Sequence, residues 1–453
     1  MARRSVFCCR FKNPTFQLLV MITLVYLVGL TCLLNFPTLK QSNKKLNLNN
    51  FTPPDYNSVK DVNKPSSISI DDVIKGKWMN GFAQPTYVPP SCHPQRNLVF
   101  IKCMKCATET LGTVFRRYGY QNNLSVVLPV EKRLYLGWPF PITDIDYRPS
   151  DRGYNLLVEH AIYNGTFMRK LMNPGSVFVT MIREPLDMFF SVLHYFNVFE
   201  LANMTMKQGT EAVQAYLRHI HQYEAVYKSP AAAPKRYCIP DGFSITKNLL
   251  SHCLGLPLGF PPGRGNIEND MEAVVQHFEN LDSEFQLVMI MEYFDESLVL
   301  LKRLLCWDTK DILYHASNRG AYQKNASHDK LSQVDRDMHR WWSRIDYRLY
   351  DHFNRTFWRK VRQQGLDFQQ EVIFFRHVQH QVSRFCHNLR PYHNSYIQFP
   401  ESLWSPAFTF SSQECQLMAS SLLEMMKKRH EKEEPKNANF SNVNIQRKFV
   451  PLC

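Results

Sequence analysis

Between about Asn97 and Cys306 short, unbroken apolar runs alternate with stretches whose apolar positions recur at helical spacing. Brief apolar runs bounded by polar turns fit strands buried on both faces, and recurrence at i, i+3 and i+4 fits helices packed on them. Asn97–Lys102 (NLVFIK) predicts a first strand and Thr108–Tyr118 a helix. Asn155–His160 (NLLVEH) predicts a second strand. Ser176–Ile182 (SVFVTMI) predicts a third, with a helix from about Leu186, and Gln286–Met291 (QLVMIM) a fourth. Asp295 reads as the cap of a helix ending near Cys306. A long helix is expected from Gln333 to Gln364, with Trp342, Ile345, Leu349, Phe353 and Phe357 as its packing stripe. Strands alternating with helices imply βαβ units, so the expected class is α/β with a mostly parallel sheet flanked by helices. Such sheets take ligands beyond the carboxyl ends of their strands.

The flanks read differently. Phe16 to Phe36 (FQLLVMITLVYLVGLTCLLNF) has no charge and no proline. At 1.5 Å per residue it is about 30 Å long, enough to cross a bilayer core. Arg3, Arg4, Arg10 and Lys12 precede it without an acid, which favours a cytoplasmic N-terminus, although Lys40, Lys44 and Lys45 follow. No small-x-small cleavage site follows the run, so it reads as an uncleaved signal anchor rather than a removed signal peptide. The expected organisation is a cytoplasmic tail (1–15), a transmembrane helix (16–36), a polar stem (37–95), a lumenal domain (96–424) and a charged C-terminal tail (425–453) that frays.

Composition adds the compartment. Sequons at Asn50, Asn123, Asn164, Asn203, Asn325, Asn354 and Asn439 agree with a lumenal domain. Twelve cysteines are present, three of them (Cys8, Cys9 and Cys32) within or before the apolar run. An odd number therefore follows it, and in an oxidising lumen several should pair. The formal charge of +14 suits anionic partners, with nucleic acid not expected behind a signal anchor.

Two segments carry candidate chemistry. The first strand runs into Cys103-Met-Lys-Cys-Ala107 and a helix opening at Thr108. A helix N-terminus presents unpaired N–H groups and the positive end of its dipole, a ready anion site. Lys105 adds a charge at the loop tip, Ala107 is small enough for close approach, and Thr108 and Thr110 offer hydroxyls. This is P-loop logic without the Walker sequence. In the second segment Arg183 ends the third strand, Pro185 opens a helix, and Ser191 follows two turns on. An arginine fork suits a phosphate, and proline at a first helical position loses no hydrogen bond.

Together these segments resemble sulfotransferases that use 3′-phosphoadenosine 5′-phosphosulfate (PAPS), and among them the chain is similar to the galactose 3-O-sulfotransferase family. That family's loop has the form L-K-T-H-K-T-G-S-S-T, standing here as Ile101-Lys-Cys-Met-Lys-Cys-Ala-Thr-Glu-Thr110. The R-x-P-x-x-x-x-x-S pattern matches Arg183, Pro185 and Ser191. Leu134–Phe140, Glu292–Lys302, Leu305–Trp307 and His352–Val361 are further family-like stretches, and the match runs from about 97 to 390. The resemblance implies a donor site of Lys102, Lys105, Ala107, Thr108, Thr110, Arg183 and Ser191, with Lys105 also serving the leaving phosphate. It implies His160 as the base, because related hexuronyl 2-O-sulfotransferases use a histidine at the matching place. Glu159 and Glu109 stand as alternative bases. The implied acceptor is a terminal galactose on a glycolipid or glycoprotein, with Tyr135, Trp138 and Phe140 either stacking on the sugar or packing in the core. The implied setting is the Golgi membrane, single-pass type II, and no metal is required.

The loop also departs from that pattern. Cys103 and Cys106 form a C-x-x-C, read as a local disulfide or two plain thiols in preference to a redox or zinc pair. Glu109 stands where the family has serine, and a carboxylate there repels a phosphosulfate unless paired or turned away. It motivates a competing expectation of a catalytically impaired glycan- or nucleotide-binding relative. A glycosyltransferase is disfavoured because Asp144-Ile-Asp146 lacks the strand context of a D-x-D metal motif.

Overall fold

A computed structural model describes residues 92–206, 209–236, 239–315, 330–389 and 395–438. The anchor expected at 16–36 and the stem up to residue 91 lie outside the described residues. Among the described residues no helix is long and apolar enough to cross a membrane.

The centre is a four-stranded parallel sheet in the order β2-β1-β3-β4. Its strands are β1 (Leu98–Ile101), β2 (Leu156–Leu157), β3 (Val177–Ile182) and β4 (Leu287–Ile290). β1, β2 and β4 are buried throughout, and so is β3 after its first residue, which explains why they read as continuous apolar runs. β1 pairs with β2 on one side, Leu98 facing Leu156, and with β3 on the other, Leu98 facing Val177. The connections therefore diverge at β1, and its carboxyl end is the switch point where such sheets open a crevice. β2 is shorter than expected because Val158–His160 leave the β1 ladder. The backbone there is taken over by the Tyr135 segment, where Leu136 N–H donates to the His160 carbonyl at 2.8 Å.

Helix α1 (Thr108–Gln121) follows β1, and α2 (Pro185–Tyr195) follows β3. α1 lies close against β2: a Cβ on Gly119 would stand 2.4 Å from Leu156 Cδ1, so only glycine fits there without a shift. The short α3 (Leu249–Cys253) and α4 (Met271–Glu284) lie between β3 and β4. After β4 comes α5 (Phe294–Leu305), whose N-cap is Tyr293. Asp295 is not its cap. It lies in the first turn and accepts from Arg376 at 2.9 Å and Tyr314 at 3.0 Å.

The expected long helix is two, α6 (Gln333–Trp342) and α7 (Arg344–Arg362). Its stripe is buried as read. The break at Ser343 arises because its hydroxyl bonds the Thr246 carbonyl at 3.2 Å and accepts from Asn248 N–H at 3.4 Å. The charged segment from Met425, expected to fray, continues instead in α8 (Leu422–Glu433). It packs on α1, buries Met426 and Lys427, and ties Glu431 to Arg148 at 2.8 Å and Glu433 to Arg152 at 3.0 Å.

Disulfides join Cys92 to Cys306, Cys103 to Cys253 and Cys386 to Cys415. The C-x-x-C is therefore neither a local disulfide nor a pair of thiols. Cys103 is bonded across to α3, and Cys106 is a buried free thiol whose pKa burial pushes far up, leaving it unreactive.

Candidate active site

The loop from Lys102 to Ala107 crosses the carboxyl end of β1 and turns sharply at two residues with positive φ, Lys105 (61°) and Ala107 (53°). Ala107 is the N-cap of α1 in the left-handed region and supplies no side-chain cap. The Thr108 hydroxyl closes the loop by donating to the Cys103 carbonyl at 2.7 Å. Among the described residues the first N–H groups of α1 thus have no side-chain capping oxygen, and they carry the positive end of a 14-residue helix. α2 contrasts with this, because its N-terminus is capped by Glu184, which accepts from Asp187 N–H at 2.8 Å. Left-handed backbone strains any residue with a Cβ. Ala107→Val should lower unfolding free energy by about 1–2 kcal/mol, while Ala107→Gly should be neutral or stabilising by up to about 1 kcal/mol, read from denaturant curves.

Arg183, just past the end of β3, donates from Nη1 to the Lys105 carbonyl at 3.2 Å, tying the two predicted segments together. Its Nε is buried without a hydrogen-bond partner among the described residues. Lys105 Nζ lies 3.9 Å from the centre of the Tyr195 ring, a cation–π contact. Burial, then the nearby Arg183 charge, draws the Lys105 pKa down. Ser191 and Tyr195 are four apart on α2 and so share a face. Ser191 is largely buried on that helix, and Thr110 is half-buried on the first turn of α1.

His160, just beyond β2, has its Nδ1 2.6 Å from the Lys102 carbonyl oxygen. A carbonyl only accepts, so Nδ1 carries the proton and Nε2 keeps its lone pair. Burial first, then the Lys102 charge, lowers its pKa well below the ordinary histidine value, so the ring is neutral.

Lys102 does not face outward. It is 2% exposed, with Nζ 2.5 Å from Glu109 and 3.6 Å from Glu159. Arg116 holds both Glu159 oxygens, at 2.6 and 2.7 Å, and reaches Glu109 at 2.8 Å. Burial opposes ionisation of both glutamates, but Arg116 and then Lys102 outweigh it and hold the carboxyls below their usual range. Fully ionised and already paired, neither is suited to take a proton from a hydroxyl. Tyr135 and Trp138 are 5% and 3% exposed, with Tyr135 edge-on to His160 at 5.1 Å. They pack and do not offer a free face to a sugar; Phe140 is partly buried against Phe260.

Sequence reasoning missed Arg116, Tyr195 and Cys253. Helical spacing could have found the first two, since Arg116 is seven residues from Glu109 and Tyr195 four from Ser191. No local signal marks Cys253. Glu292 was missed as well. Just past β4, it accepts the Glu184 N–H at 3.0 Å and the Tyr350 hydroxyl at 3.0 Å, steadying the turn that carries Arg183.

A family model described as galactose-3-O-sulfotransferase matches residues 16–406. The chain is 30% identical over 300 residues to human galactosylceramide sulfotransferase, covering 65% of each chain. It is 30% identical over 321 residues to human galactose-3-O-sulfotransferase 3, covering 68% of this chain and 69% of that one. It is 28% identical over 271 residues to human galactose-3-O-sulfotransferase 2, covering 59% and 62%. The chain thus spans 65% of the length of the galactosylceramide sulfotransferase it matches. A parallel sheet with an uncapped helix at its switch point, a lysine and an arginine locked to that loop, and a family match over most of the sequence agree, and the chain belongs to the galactose-3-O-sulfotransferase family.

Proposed function

We propose that this chain is a sulfotransferase that moves a sulfuryl group from PAPS to a hydroxyl of galactose, the 3-OH, on a glycolipid or glycoprotein. Family membership and the names of its relatives support the reaction class. The observation that carries the donor assignment is the uncapped N-terminus of α1 beside Lys105 and Arg183. Four side-chain donors fit an anion there beside the N–H groups of the first turn: Lys105 Nζ, the Thr110 and Ser191 hydroxyls, and the orphaned Arg183 Nε. In this reading Lys105 and the α1 N–H groups hold the phosphosulfate, while Arg183 and Ser191 hold the 3′-phosphate. Lys102 supports the loop from below.

His160 Nε2 takes the proton as the galactose oxygen bonds to sulfur. The bond from sulfur to the donor's phosphate oxygen breaks, and the leaving phosphate keeps that electron pair. Lys105 and the helix end offset the charge that develops on it. The pairing of Glu109 with two cations weakens the repulsion that motivated a binding-only reading, and so supports turnover over binding alone. The same reading sets the chain in the Golgi membrane as a single-pass type II protein with its domain in the lumen.

The test is thermal unfolding of the detergent-solubilised full-length chain with adenosine 3′,5′-bisphosphate. At a hundredfold excess over Kd, ligand stabilises by about 2.7 kcal/mol, so the midpoint should rise by several degrees. No shift at millimolar ligand would defeat the donor assignment.

A further inference from the structure

Lys102, Glu109, Arg116 and Glu159 form the floor of the loop, with two cations and two carboxylates joined by contacts of 2.5 to 3.6 Å. Three of the four are sealed, with side chains no more than 6% exposed. Glu109 is 58% exposed, between Thr108 and Thr110 in the first turn of α1. Solvent, and any anion seated on that turn, therefore meets the floor through Glu109. A carboxylate in a first turn already draws on the helix dipole, so it occupies the same positive field that an anionic ligand needs. It also offsets the charge of Lys102.

We propose that Glu109 is a resident counter-anion of the donor site: by keeping the floor neutral, it restrains the affinity of the loop for phosphate-bearing ligands. The proposal rests on the donor reading above and adds to it which residue sets donor and product affinity, and how. On this view Lys102 acts through the charge of the floor and not by touching the ligand. Moderate affinity suits turnover, because the bisphosphate product must leave the same groups that gripped the donor.

Affinity for adenosine 3′,5′-bisphosphate should then follow the net charge of the floor. Glu109→Gln, which keeps an oxygen for Arg116 while removing the charge, should tighten binding on the order of three- to tenfold. Lys102→Met should weaken it by a similar factor. The double variant, neutral again, should return close to wild type. Glu109→Asp keeps the charge and should stay near wild type. Binding is read by calorimetry on the full-length chain in detergent, and unfolding midpoints without ligand identify any variant that has lost its fold. Such a variant is replaced by its milder counterpart, Glu109→Ser or Lys102→Gln. If wild type binds and Glu109→Gln binds equally or more weakly, the restraint is refuted while the donor reading stands. If the double variant is not restored and binds well below wild type, Lys102 contacts the ligand and the proposal also fails. If only Glu109→Gln binds, the restraint is supported. If no form binds, the donor reading falls and the proposal with it.

Discussion

Replacing His160 by alanine should lower kcat by about two to four orders of magnitude, the usual contribution of a positioned general base. Product affinity should change far less, because His160 contacts the donor loop only through the Lys102 carbonyl. His160→Asn separates the two roles. Its amide N–H can still donate to that carbonyl but offers no basic lone pair, so binding should be kept and turnover lost. A variant binding the bisphosphate normally and retaining more than about a tenth of wild-type kcat would remove His160 from the mechanism. The pH profile gives a second check. Because burial and Lys102 depress the histidine pKa, the neutral, base-competent ring persists below the ordinary value of 6.5. The acid limb of kcat/KM attributable to His160 should therefore lie below pH 6.5. The linkage has the matching sign: the unfolded state binds this proton first, so stability falls as pH drops below 6.5.

Arg116→Met should be the most destabilising single change in the site. It leaves Glu159 buried with only the 3.6 Å contact to Lys102, and breaking such a buried pair costs about 3–5 kcal/mol. The unfolding midpoint should fall by roughly 5–10 °C at neutral pH. The sign of the pH dependence identifies the cause. Glu109 and Glu159 have depressed folded pKa values, so their contribution is present above the reference value of 4.5 and is lost as pH falls below it. Without Arg116 those carboxyls protonate more readily, and the gap between variant and wild type should narrow toward pH 4–5. A gap that stays constant would point to lost packing of the arginine stem. Arg116→Met with Glu159→Leu should recover part of the loss, because the orphaned charge goes with its partner.

The uneven legibility of this chain follows from the range of the forces involved. β1, β3 and β4 and the starts of α1 and α2 lie within a residue or two of their expected places, since each depends on apolar runs and turn residues close by. The break at Ser343 was invisible because the bonds that make it come from Thr246 and Asn248, nearly a hundred residues earlier. α8 was hidden for a related reason. Its charges read as a solvated tail, but they face Arg148 and Arg152.

Local order in the sequence was enough to indicate a parallel α/β sheet, to single out the turn at Lys105 and a second segment at Arg183 that the structure ties together, and to point to the family. It also picked out His160, although not which ring nitrogen is free. The tertiary structure decided which charges meet. Glu109 looked like a repulsive neighbour of the donor because its partners, Lys102 and Arg116, stand seven residues to either side and are brought together by the turn. Glu159 joins them from just past β2, and Cys103 finds Cys253 instead of its near neighbour Cys106. Coulomb energy and disulfide geometry depend on distance in space, which spacing along a chain does not report until the sheet has closed.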